Sequence, residues 1–155
     1  MTLSILFVCL GNICRSPLAE AAMRRRASEA GLDIDVDSAG TGDWHVGSPP
    51  DRRAIAVAAS NGIDIAAMRA RQVTPQDFHR FDHIVALDRD NLFALETMQP
   101  PGSRARLSLL LDHVEGREGE PVMDPYYGGE EHFELAWADV WEGTGALARK
   151  LIGAA

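Results

Sequence analysis

The apolar and polar positions of this chain alternate between two rhythms. LSILFVC, ending at Cys9, is a short and almost wholly apolar run rich in β-formers, as a central parallel strand buried on both faces should be. SPLAEAAMRRRASEAG follows with helical character. Ser16 is placed to cap that helix, Pro17 suits its first position, Glu20 favours its positive end, and Gly31 stops it. LDIDVDSAG alternates as a second strand, and GTGDWHVGSPP is a glycine- and proline-rich loop. The pattern then predicts a helix over 51–61 and a short helix opened by Thr74, Pro75 and Asp77. A strand at FDHIVALD, a helix at RDNLFALETMQ and a last strand at ARLSLLL come next. The loop GREGEPVMDPYYGG leads to a final helix over about 131–152. Strands alternating with helices imply βαβ units. The predicted fold is α/β: one domain over 1–155, with a central four-stranded parallel sheet flanked by helices on both faces.

Composition narrows the function. The 155 residues are 46% hydrophobic and 25% charged, which suits a chain that buries a core without staples. A formal charge of −8 disfavours nonspecific binding to nucleic acid or to a membrane, since both are polyanionic. The chain shows no signal peptide or membrane span, and its two cysteines, Cys9 and Cys14, cannot build a disulfide framework. A reducing cytoplasm is the expected location.

Both cysteines fall in one motif, CLGNICRS, between the first strand and the first helix. In parallel sheets ligands bind beyond the carboxyl ends of the strands. Backbone N–H groups of Leu10, Gly11, Asn12, Ile13 and Cys14 can converge there as a nest, and the helix N-terminus adds positive potential. The loop lacks the lysine and spacing of a nucleotide P-loop and carries Cys9 and Arg15 instead. Such a site favours a thiolate, which is a nucleophile. Arginine can grip two oxygens of a tetrahedral oxyanion with its planar fork. The combination suits attack of sulfur on phosphorus, giving a phosphocysteine. Asp124, fixed in an extended or turn conformation by Pro125, is a candidate to protonate the leaving oxygen and then activate water. Taken alone, Asp124 is a turn residue, Trp44 and Tyr126 are core or rim aromatics, and Cys14 is a small loop residue.

FVCLGNICRSPLAE, DSAGTGDW, ARQVTPQDF, FDHIVALDRDNL and DPYYGG, in that order, resemble the low-molecular-weight protein-tyrosine phosphatases over essentially the whole chain. The resemblance implies that Cys9 is the nucleophile, Arg15 the phosphate clamp and Asp124 the general acid, then base. Ser16 would hydrogen-bond the Cys9 thiolate, and Asn12 would hold the unusual loop backbone with support from Ser38. Trp44, Tyr126 and Tyr127 would wall a deep slot, with Ile13 at its edge; flat apolar walls suit an aryl ring. Cys14 would trap an oxidised Cys9 as a reversible disulfide. No metal or cofactor is implied, and the partners would be phosphotyrosine-containing proteins, met by a monomer or weak dimer. One departure stands out: AAMRARQ places Met68 where such phosphatases often carry a histidine that helps anchor the loop asparagine.

Two related activities compete. Arsenate reductases of this fold pass oxidising equivalents to further cysteines, and no cysteine follows Cys14 here. Protein-arginine phosphatases tend to carry threonine where Ile13 sits. His79 and His83 lack the glutamate pattern of a zinc helix, and the Arg24–Arg26 run reads as a solvated helix face able to attract acidic phosphopeptides.

Overall fold

The computed structural model describes residues 2–154. Its strands are β1 (Leu3–Cys9), β2 (Ile34–Gly40), β3 (His83–Ala86) and β4 (Arg106–Leu109), and its helices are α1 (Arg15–Ala30), α2 (Arg52–Ser60), α3 (Asp77–Arg80), α4 (Arg89–Met98) and α5 (Glu130–Ala154). The strands pair in the order β2-β1-β3-β4, all parallel, with Phe7 opposite both Ser38 and Val85. The sheet therefore grows from β1 to one side and then, after β2, to the other. That reversal opens a crevice at the carboxyl end of β1.

Strand periodicity sorts β1 onto two cores. Ile5, Phe7 and Cys9 face one cluster with Leu18 and Met23 of α1, Ala54 and Val57 of α2, and Phe133 and Val140 of α5. Leu6 and Val8 face the other, with Phe78 of α3 and Leu95 of α4. Helices thus cover both faces, as the unbroken apolar run of β1 requires. Phe7, Phe78 and Phe133 are all at most 1% exposed. Each such ring contributes roughly 1.5–3 kcal/mol by leaving water. Among the described residues no helix is long and apolar enough to cross a membrane.

Three sequence expectations are corrected. Ser16 does not cap α1: the capping position is Cys14, with no side-chain cap, and Ser16 and Pro17 lie within the first turn. The serine hydroxyl meets the Cys9 sulfur instead. The last strand is shorter than ARLSLLL, because Leu110–His113 turn into a 3-10 helix that sends Leu110 and Leu111 into the first core. Leu110 packs so closely on α5 that a Cβ on Gly143 would stand 2.6 Å from its Cγ. The arginine run is not a plain solvated face either. Arg24 pairs with Glu20, Arg25 donates to the Gly62 carbonyl, and the Arg26 guanidinium lies 3.5 Å from the centre of the Trp141 ring.

The predicted stop of α1 holds, and two aspartates cap later helices. Gly31 takes a left-handed φ of 68° and Leu32 N–H returns to the Ala27 carbonyl, which closes α1. Asp51 caps α2 by accepting from Arg53 N–H, and Asp88 caps α4 by accepting from Asn91 N–H.

Candidate active site

Cys9 closes β1, and the loop from Leu10 to Cys14 turns directly into α1. The turn requires a left-handed residue, which is Asn12 at φ 57°, the only non-glycine residue with positive φ among the described residues. Asparagine tolerates this region better than most side chains. Its side chain holds the conformation from three sides. Nδ2 donates to Ser16 Oγ at 2.8 Å and to Ser38 Oγ at 3.0 Å, while Oδ1 accepts from Arg71 N–H at 3.0 Å. The backbone of Arg71 thus supplies an anchor, and Met68 only packs against the apolar cluster.

A further link supports Ser38. Its hydroxyl donates to Glu20 Oε1 at 2.7 Å, and Arg24 grips Glu20 Oε2 in turn. Glu20 is only 6% exposed, so it serves this network rather than a solvated helix end. Nothing in the local sequence separates it from an ordinary exposed helix carboxylate. Gly40 at the end of β2 is equally constrained: a Cβ there would stand 2.7 Å from the Leu10 carbonyl oxygen. The loop and β2 can touch only because that side chain is missing.

The loop carbonyls of Cys9, Leu10 and Ile13 accept from the N–H groups of Thr41, Gly42 and Asp51 at 2.8–2.9 Å. The amides of Gly11, Asn12, Ile13 and Cys14 have no protein acceptor among the described residues. Carbonyls are thereby held outward and donors left free, the arrangement of an anion nest. Cys9 lies at its floor, 3% exposed, with Sγ 2.9 Å from Ser16 Oγ. That oxygen accepts from Asn12, and its proton can turn to the sulfur or, at 3.4 Å, to the Ala39 carbonyl.

Arg15 is 3% exposed and aimed by two acceptors, Asp88 Oδ2 at 2.7 Å and the Val122 carbonyl at 2.9 Å. Burial works against its charge, but Cys9 and Asp88 more than offset this and raise its pKa, so it stays protonated. Its second amino group lies 3.6 Å from Asp124 Oδ2 across the cavity. Asp124 is fixed on its other side by Tyr126 N–H at 3.1 Å. Cys14 is also buried, which together with Asp51 and Cys9 pushes its thiol well above the usual range. Both cysteines are free thiols.

A cavity of about 400 Å³ joins these groups to the surface. Leu10, Ile13, Trp44, Tyr126 and Tyr127 all border it, as does His45, for which the sequence holds no motif. The His45 ring lies against Gly11, and its centroid is 6.4 Å from that of Tyr126. Tyr126 is partly covered, whereas Tyr127 is 95% exposed and Trp44 71% exposed. Tyr126 is therefore a wall, with Tyr127 edge-on to it and Trp44 forming the rim. Trp44 can fold back only because Gly42 carries no side chain to meet its indole.

Fold and site define a parallel α/β protein with a thiol at the floor of an oxyanion-binding loop. Comparison with known proteins gives the family. The model of the low molecular weight phosphotyrosine protein phosphatases matches residues 4–153, and the chain belongs to that family. A low molecular weight phosphotyrosine protein phosphatase of Schizosaccharomyces pombe is 45% identical over 134 residues, covering 84% of this chain and 85% of that protein. The crystal structure of YfkJ from Bacillus subtilis superposes with a TM-score of 0.92 at 40% identity, covering 99% of this chain and 97% of YfkJ. A Drosophila arginine phosphatase, DARP, superposes with a TM-score of 0.90 at 34% identity, covering 95% and 96% of the two chains.

Proposed function

We propose that this chain hydrolyses phosphotyrosine in proteins, and small aryl phosphates, by two displacements at phosphorus. Cys9 sulfur attacks phosphorus and the P–O(aryl) bond breaks, while Asp124 gives its proton to the departing phenol oxygen. Water then attacks the phosphocysteine, the S–P bond breaks, Asp124 takes the water proton, and inorganic phosphate leaves. Arg15 and the free loop amides hold the equatorial oxygens through both steps. Ser16 steadies the sulfur as thiolate and leaving group, and Asn12 and Ser38 keep the loop in shape. One observation carries this reading: Cys9, Arg15 and Asp124 meet in one cavity whose wall is an aromatic ring.

Two free thiols support a reducing cytoplasm. The deciding assay compares phosphotyrosine, phosphoserine, phosphoarginine and arsenate in the presence of EDTA. Turnover confined to phosphotyrosine is expected. Ile13 beside an aromatic wall favours an aryl ester, and faster phosphoarginine hydrolysis would transfer the chain to that activity.

Two further outcomes follow from the geometry. Trp44→Ala should lower kcat/KM for aryl phosphates roughly three- to tenfold, the worth of one aromatic contact, while leaving small alkyl phosphates unchanged. An unaltered aryl preference removes Trp44 from substrate contact. Iodoacetate at neutral pH should carboxymethylate Cys9 and spare Cys14. The raised pKa of Cys14 keeps it a neutral thiol there, and only the thiolate reacts. Peptide mass mapping checks this, and label on Cys14 contradicts it.

A further inference from the structure

Asp124 sits on an irregular segment with its side chain 41% exposed, yet the proposed chemistry needs its carboxyl at a set distance from Cys9. From Val122 to Gly128, polar contacts with distant residues run to Leu87, Arg15 and Arg53 among the described residues. Leu87 holds only Val122, before the acid. Beyond it, the segment is tied down by Arg53.

The Arg53 contacts use most of its guanidinium. Nη1 donates to the Gly128 carbonyl at 2.9 Å, and Nη2 to the Tyr126 carbonyl at 2.9 Å. Nε and Nη2 grip the two oxygens of Asp51 at 3.0 and 3.1 Å. Its flat face lies 4.5 Å from the centre of the Phe133 ring on α5. Asp51, in turn, donates its N–H to the Ile13 carbonyl at 2.8 Å. A continuous path thus runs from the loop around Cys9, through Asp51 and Arg53, to the segment that carries Asp124 and Tyr126. The neighbouring Arg52 is exposed and has no such reach. Arg53 also holds the Asp51 carboxyl below its usual range, chiefly by the side-chain hydrogen bond.

We propose that Arg53 is a positioning residue, whose guanidinium locks Asp124–Gly128 to the start of α2 and so sets the general acid and the aromatic wall in register with Cys9. The inference rests on the reading of Asp124 as acid and base. Only arginine can make this set of contacts, since lysine offers one compact ammonium and glutamine is too short to span two carbonyls and a carboxylate.

The test uses Arg53→Gln and Arg53→Lys with a series of aryl phosphates whose phenols run from weak to strong acids. Hydrogen exchange is followed by mass spectrometry on the same proteins. For Arg53→Gln, kcat/KM, which reports only the first displacement, should fall about tenfold on the poorest leaving groups, part of the contribution of a placed acid, with less than about a twofold change on nitrophenyl phosphate. Exchange in 122–129 should quicken about tenfold, while 9–16 stays as in the wild type. Arg53→Lys should fall between. In an Asp124→Ala background, Arg53→Gln should add little on poor leaving groups, because the acid it positions is gone. A contact that merely stabilises the fold would lower Tm and reduce kcat/KM for all substrates alike. Such uniform slowing, or unchanged exchange in 122–129, overturns the proposal. A wild type that hydrolyses no aryl phosphate defeats the phosphatase reading instead, and the exchange comparison still decides whether Arg53 orders the segment.

Discussion

Cys9→Ser is expected to reduce turnover by a factor on the order of 10⁴ or more, as loss of a nucleophile does. A serine hydroxyl is far less acidic than a thiol, so the donors around it, Ser16 Oγ at 2.9 Å and the buried Arg15, have no anion to stabilise. The cavity itself should survive, because the loop is shaped by Asn12, Ser38, Arg71 and Gly40 rather than by the sulfur. Binding of phosphate or vanadate to the inactive variant checks that point. In the wild type, rapid quenching with labelled substrate should place phosphorus on Cys9. If label never appears there while turnover proceeds, nucleophilic catalysis by this thiol is refuted.

Asp124→Ala should give the next largest loss, roughly 10²- to 10⁴-fold on substrates with poor leaving groups. On substrates with good leaving groups such as nitrophenolate the first step should be nearly normal, since that anion departs without a proton. The second step still lacks its base, so phosphocysteine should accumulate with these substrates and appear as a burst of phenol. Equal losses across the series, without a burst, would assign Asp124 to anchoring Arg15, which it approaches at 3.6 Å.

The two predictions differ in how directly the sequence could suggest them. Cys9 and Arg15 lie six positions apart at a strand–helix junction, so one local motif displays both. Asp124 becomes meaningful only once a distant loop is brought over β1. Its sequence signal was its place in DPYYGG and the family resemblance, not any property of an aspartate before proline.

Residues missed or misread share one feature: their partners are remote or on another element. Ser16 has the chemistry of a helix cap, but α1 begins before it, at Arg15, and its hydroxyl meets Asn12 and Cys9. Glu20 has the chemistry of a dipole-complementing carboxylate, but Ser38, eighteen positions away, takes one oxygen. Arg26 has the pattern of a solvated side chain, and the Trp141 ring that covers it lies on α5. Arg53 reaches Gly128, seventy-five positions on, and no periodicity encodes such a contact. His45 gave no motif, being a lone histidine in a glycine-rich loop. Leu110 and Leu111 continued an apolar run that looked like strand until the core drew them into a turn.

The amino-acid order alone determined the alternation of strands and helices, the parallel sheet, and the thiol–guanidinium loop at its edge. These depend on periodicity, on glycine and proline, and on neighbours along the chain, all of which are local quantities. The tertiary structure alone decided that Asp88 aims Arg15, that Glu20 backs Ser38, and what holds the segment bearing Asp124. Those outcomes are set by hydrogen bonds and close approaches between residues far apart in sequence, whose geometry exists only after the sheet has brought its carboxyl ends together.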